Sequence, residues 1–265
     1  MFGAIIGDIV GSRFEYIEHK DKTFNFFHEK CKFTDDTVMT IAVGKAMLEC
    51  DKSYDDEKLK DIIIKNFLEV GKKYPYCGYG TFFKDWLFED QKPKNSYGNG
   101  SAIRISPVGL FCESEGEVKR LANLFTVVSH THEQAIKGAE ATAIAVFLAK
   151  KGYFIEDIKN RIIKDYYPEI NSASVNAIRE ENYYDCSCEK TVIQALTCFF
   201  ESKNFEDAIR NAVSIGGDSD TICAVTGSVA GAYYGIPLCF KKACYNYLDK
   251  DLKNYLKQIQ NKFLF

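Results

Sequence analysis

Apolar residues return at helical spacing along most of this chain, and the alternate spacing of a half-buried strand is hard to find. Leu59, Ile62, Ile63, Phe67 and Val70 trace one face of a helix, as do Ile136, Ala139, Ala143, Val146 and Phe147 in the segment from Glu133 to Lys150. Further helices are predicted at about 38–50, 115–129, 189–202, 205–213, 221–234 and 240–262, with ends uncertain by about 2–4 residues. The fold class expected is all-α. No internal repeat of fixed period suggests a solenoid, so the helices should pack as a compact bundle. Across the 265 residues no Pro/Gly/Ser-rich linker or long charge run marks a boundary, and residues 1–265 read as a single domain.

Apolar residues make up 46% of the chain and aromatics 14%, enough to bury a large core and to argue against disorder. A net charge of −3 gives no electrostatic footprint for nucleic acid. The ten cysteines are scattered through a chain too large to need disulfide staples, so reduced thiols and a cytoplasmic location are expected. Cys186 and Cys188 form the closest pair but lack a second pair or a nearby His at zinc spacing. The apolar N-terminus has no basic flank and is interrupted by Asp8, which does not fit a signal peptide, and charged residues break every other apolar run short of a membrane span.

Two acid-plus-hydroxyl clusters stand out, Thr34-Asp35-Asp36-Thr37 and Asp218-Ser219-Asp220-Thr221, each opening a run of small and apolar residues. Taken alone, either reads as a helix start with a hydroxyl cap and acids complementing the positive end of the dipole. Yet adjacent carboxylates leading into an apolar helix repel unless a cation or solvent offsets them. Carboxylates and hydroxyls with no adjacent Cys or His are hard oxygen ligands, suited to Mg²⁺ or Mn²⁺ rather than to zinc. Gly216-Gly217 before the second cluster permits a tight or positive-φ turn that aims both acids inward.

Three further features are weaker. Gly98-Asn99-Gly100-Ser101 is either a plain turn or a loop that offers N–H groups to a phosphate. His130-Thr131-His132 places two of the four histidines just ahead of a helix, where substrate contact competes with helix capping. Glu15, by itself, reads as a solvated surface acid.

In combination, Gly7-Asp8-Ile9-Val10-Gly11-Ser12-Arg13-Phe14-Glu15, Phe33-Thr34-Asp35-Asp36-Thr37, Ser96-Tyr97-Gly98-Asn99-Gly100-Ser101-Ala102, His130-Thr131-His132 and Ser214-Ile215-Gly216-Gly217-Asp218-Ser219-Asp220-Thr221 resemble the ADP-ribosylglycohydrolase family, including the dinitrogenase-reductase-activating glycohydrolases. The resemblance implies an orthogonal all-α bundle, a centre of two Mg²⁺ or Mn²⁺ ions, and hydrolysis of the glycosidic bond between ADP-ribose and a modified group on a protein or small molecule. Carried over residue by residue, it implies Thr34, Asp35, Asp36, Asp218, Asp220 and Thr221 as metal ligands, with Asp35, Asp36 and Asp220 also in the catalytic set. It implies Asn99, Gly100 and Ser101 as the diphosphate loop, His130 and His132 as substrate contacts, and Glu15 as an acid beside the scissile bond. Thr131, Glu133 and Ile103 depart from the residues many relatives carry there, which bears on the substrate and not on the ligands. Two other readings use the same residues: a dinuclear phosphohydrolase acting on a nucleotide or phosphoester, and a non-catalytic ADP-ribose-binding module. The acceptor, the oligomeric state and the choice between Mg²⁺ and Mn²⁺ are left open by the sequence.

Overall fold

The computed structural model describes residues 1–181 and 183–263. Among them the secondary structure is helical throughout, apart from isolated bridges between Lys94 and His130 and between Gly98 and Ser187. The all-α expectation holds, and its apolar interior is one continuous cluster running from Met1 to Ile259.

The centre of the molecule is a helix pair, one member of which is the helix predicted at 221–234 and the other of which was not predicted. Helix α1 (Phe2–Gly11) is buried at every position, so its apolar residues surround it and show no stripe. It lies antiparallel against Ser219–Tyr233, a helix whose small residues let the two backbones touch. A Cβ on Gly7 would sit 2.0 Å from the Cys223 carbonyl oxygen, and one on Gly3 would sit 1.9 Å from that of Gly227. Burying Phe2, Ile5, Ile6, Ile9 and Val10 contributes about 1.5–3 kcal/mol each, which offsets the cost of placing one charged residue, Asp8, among them.

Helices α2 (Asp35–Glu49) and α3 (Asp56–Gly71) follow, with Thr34 and Asp55 as side-chain caps. The short helices α4 (Thr81–Phe88), α5 (Gly100–Arg104) and α6 (Ser106–Phe111) lead to α7 (Glu115–Val127) and α8 (Glu133–Lys150). The second half contains α9 (Ile155–Asp165), α10 (Val175–Glu181), α11 (Cys188–Phe200), α12 (Phe205–Ser214) and α13 (Ser219–Tyr233), the partner of α1. The predicted helix at 240–262 is two, α14 (Leu238–Cys244) and α15 (Lys250–Phe263), separated by a 3₁₀ turn at Tyr245–Tyr247. Asp249 makes the break: its carboxylate accepts the Leu252 N–H at 2.9 Å and restarts the helix, while Leu248 before it is extended and buried.

Candidate metal centre

The start of α2 meets the end of α1 and the start of α13. The Asp8 carboxylate accepts the Thr34 N–H at 2.9 Å and the Thr37 N–H at 3.1 Å, and the Thr34 hydroxyl donates to it at 2.7 Å. These bonds satisfy orphan N–H groups of the first helical turn and bind α2 to α1. Thr34 Oγ1 also accepts the Asp36 N–H at 3.3 Å, so this threonine is a helix cap as well as a neighbour of the acids. On the other side, Gly216 and Gly217 adopt φ of 72° and 79°, backbone that disfavours residues with a Cβ, and this turn carries the chain into Asp218 and Asp220.

Two sets of carboxylates result. Ligand atoms of Asp8, Asp36 and Asp220 lie within 4.8 Å of one another, and so do those of Glu15, Asp218 and Asp220. Asp220 belongs to both. Burial pushes the carboxyl groups of Asp36 and Asp220 well above the usual carboxylate range, and the charges of Asp35 on the first and Asp218 on the second push them further. Asp35 is raised to about 8 by burial and then by Asp8. Asp8 reaches only about 6, because its hydrogen bonds to Thr34 and Thr37 work against burial.

Such a cluster is stable as anions only around cations. Asp36 Oδ2 is buried with no hydrogen-bond partner, which is how a carboxylate oxygen reserved for a ligand looks. Oxygen-only donors, carboxylates with the Thr221 hydroxyl alongside, fit a hard divalent cation.

Asp36, Asp218 and Asp220 line a cavity of about 310 Å³, together with Gly98, Asn99, Gly100, Phe82, Phe83, Arg104, His130, Tyr184 and Thr221, while Asp8 lies behind them. Glu15 and Asp35 reach it as well. Asn99 lines it with its amide turned to protein, donating to Asp218 at 2.7 Å and to Thr191 at 3.0 Å. Ser101 is fully buried and gives its hydroxyl proton to the Ala135 carbonyl at 2.9 Å. His132 caps α8, accepting the Gln134 N–H at 3.2 Å, and lies outside the cavity lining, unlike His130. Two residues that the sequence did not single out belong to the site, Asp8 and Arg104. For Asp8 the signal was its isolation as the single charged residue of an apolar run; Arg104 gave none.

The residues gathered here are the motifs that suggested a family, and the family model described as ADP-ribosylglycohydrolase matches residues 1–263. The chain belongs to the ADP-ribosylglycohydrolase family. Relatives in that family include the ADP-ribosylhydrolase ARH3 of Homo sapiens, 26% identical over an alignment covering 94% of this chain and 89% of that protein. The ADP-ribosylarginine hydrolase Tri1 of Pseudomonas putida is 24% identical, with 89% of this chain and 70% of Tri1 covered. The solved structure of an ADP-ribosylglycohydrolase-related protein complex superposes with a TM-score of 0.68 over 97% of this chain and 96% of its own, at 21% identity. That likeness shows the all-α fold of the ADP-ribosylglycohydrolases in this chain.

Proposed function

We propose that this protein is a divalent-metal-dependent hydrolase that cleaves the glycosidic bond between ADP-ribose and a modified group on a protein or small molecule, releasing ADP-ribose. Family membership and the named activities of ARH3 and Tri1 support the reaction class. The observation that carries the reading is the pair of acidic sets sharing Asp220 on the cavity wall. Two Mg²⁺ or Mn²⁺ ions are proposed there, held by Asp36 and Asp220 with Asp8, and by Asp218 and Asp220 with Thr221, while Asp35 and Thr34 complete the α2 side. When bound, such ions supply Lewis-acid charge that orients ribose hydroxyls and acidifies water.

The protein's own groups divide the remaining work. Asn99, by donating to Asp218, fixes the direction of that carboxylate. Gly98, Asn99 and Gly100 line the cavity and are proposed to meet the diphosphate, with Ser101 holding the loop from behind. Glu15, half-buried at the rim, is proposed to move the proton between water and the leaving group. The ten cysteines are free, which accords with a reducing, cytoplasmic setting. No described helix is long and apolar enough to cross a membrane. The single unit over 1–265 is likewise proposed.

The test is product analysis on ADP-ribosylated arginine and serine peptides, with and without chelator, for wild type and Asp220→Ala. Free ADP-ribose with an intact diphosphate is expected from wild type alone, and only with Mg²⁺ or Mn²⁺ present. AMP or phosphate as product would replace the reading by phosphohydrolysis, and tight binding with no product by a binding module. Metal binding unchanged in Asp220→Ala would remove the assigned centre.

A further inference from the structure

Arg104 lines the same cavity, is buried to 1% exposure and pairs with no carboxylate among the described residues. Its guanidinium lies over the rings of Phe67 and Phe83, at 4.7 and 5.2 Å from their centroids. Nη2 donates to the Phe125 carbonyl at 2.9 Å and to Ser129 Oγ at 2.6 Å. Ser129 Oγ in turn lies 2.8 Å from His130 Nδ1.

The direction of that last bond follows from counting hydrogens. Arg104 is a donor only, so it occupies one lone pair of Ser129 Oγ. The serine hydroxyl has a single proton and two acceptors near it, His130 Nδ1 and the Thr126 carbonyl at 3.4 Å. The Thr126 carbonyl already accepts the backbone N–H groups of Ser129 at 3.1 Å and His130 at 2.8 Å, which fills its two lone pairs. The proton therefore goes to His130 Nδ1.

We propose that Arg104 and Ser129 are positioning residues that lock His130 with its ring proton on Nε2, making that N–H a fixed donor into the cavity beside Gly100. Burial, and then the charge of Arg104, bring the imidazole pKa down to about 3, so the ring carries one proton and not two. Phe83 covers one face of the ring, with centroids 6.2 Å apart and planes 27° apart. Nε2 lies 3.5 Å from the point where a side chain on Gly100 would begin, and no acceptor among the described residues reaches it. An N–H that is held, uncharged and unanswered on a cavity wall suits an oxygen acceptor of the ligand. On the proposed reading that acceptor is a diphosphate oxygen, and only the acceptor's identity rests on that reading.

Nitrogen-15 NMR on histidine-labelled protein tests the lock without activity, with His130→Gln to assign the resonances. In wild type, Nε2 is expected to be protonated and Nδ1 to show the shift of a nitrogen accepting a hydrogen bond. In Ser129→Ala the Nδ1 resonance should move to that of a free lone pair, and Ser129→Thr should restore it. Calorimetry with ADP-ribose should show about tenfold weaker binding in Ser129→Ala, recovered in Ser129→Thr, with the melting temperature nearly unchanged. A protonated Nδ1 in wild type, or an Nδ1 shift that ignores Ser129→Ala, overturns the lock. Weaker binding that Ser129→Thr does not recover, or unchanged binding, overturns the positioning role. Wild type that binds no ADP-ribose while the NMR pattern holds overturns the proposed function and leaves the lock standing.

Discussion

At position 8 a carboxylate accepts hydrogen bonds from the first turn of α2 and also stands within ligand distance of Asp36 and Asp220. Asp8→Asn separates these duties, because asparagine keeps the shape, loses the charge, and turns its NH₂ toward donors on the Thr34 and Thr37 side. Calorimetric Mn²⁺ affinity is expected to fall at least about tenfold, with a loss of about 1–3 kcal/mol in stability from the unpaired donors. Affinity within twofold of wild type would take Asp8 out of the centre. Glu15→Gln, by contrast, leaves the hydrogen bonds of the buried acids in place and removes only one charge beside Asp218 and Asp220, and it should retain ADP-ribose binding while turnover falls about 100-fold or more. Near-normal turnover would remove Glu15 from the proton transfer. The two acids also show what a sequence discloses at this scale. Asp35, Asp36, Asp218 and Asp220 are conspicuous because they come in pairs beside hydroxyls, a local pattern. Asp8 has no such neighbour, and its partners lie 26 or more positions away, so only the packing of α1 on α2 and α13 brings it to them.

Helix α1 is also where local periodicity has least to say, since a helix buried on all sides carries no stripe. The helices α3, α7 and α12 are legible to within a few residues because each keeps one wetter face, and α8 and α11 because their apolar runs are long. The short α4, α5 and α6 were not, and Asp249 divided what reads as one C-terminal helix. What α1 does show in sequence is Gly3, Gly7 and Gly11 at four-residue spacing, and each faces the α13 backbone. Since α1 carries Asp8 and α13 carries Asp220, their separation sets the geometry of the acids. Gly7→Ala would drive a methyl to 2.0 Å from the Cys223 carbonyl oxygen, and the helices must part. Stability should drop by about 1–3 kcal/mol or more, and Mn²⁺ affinity should drop with it. Gly116→Ala in α7, where no atom lies within 4 Å of the added carbon, is the control and should gain about 0.5–1 kcal/mol with metal binding intact. Equal effects of the two alanines would contradict the close-packing argument.

For the molecule as a whole, the acids tie folding to pH and to cations with opposite signs. Without a cation, burial holds the carboxyl pKa values above their unfolded value near 4, with Asp8 at about 6 and Asp35 at about 8. Through these groups the folded state binds more protons than the unfolded one, so their contribution to stability falls as pH rises from about 4 through about 8. Exposed acids held below their usual range, such as Asp21 and Asp51, contribute in the other direction but have finished titrating by about pH 5. His130, whose pKa burial brings down to about 3, works the other way between pH 5 and its unfolded value near 6.5, so the cluster's share is read in chelator as the difference between wild type and Asp220→Ala, and from pH 5 to pH 8 wild type should lose stability relative to the variant. Each kcal/mol lost corresponds to about 2–4 °C in a chain of this size. A divalent cation binds the ionised carboxylates, so it competes with protons at pH 5 and meets little competition at pH 8. Saturating Mn²⁺ should consequently raise the melting temperature more at pH 8 than at pH 5, and Asp220→Ala should weaken the response to Mn²⁺. A chelated wild type that loses no stability relative to Asp220→Ala between pH 5 and pH 8, or a Mn²⁺ response independent of pH, would mean that these carboxylates are ionised without a cation and that the buried cluster is not what couples metal to fold.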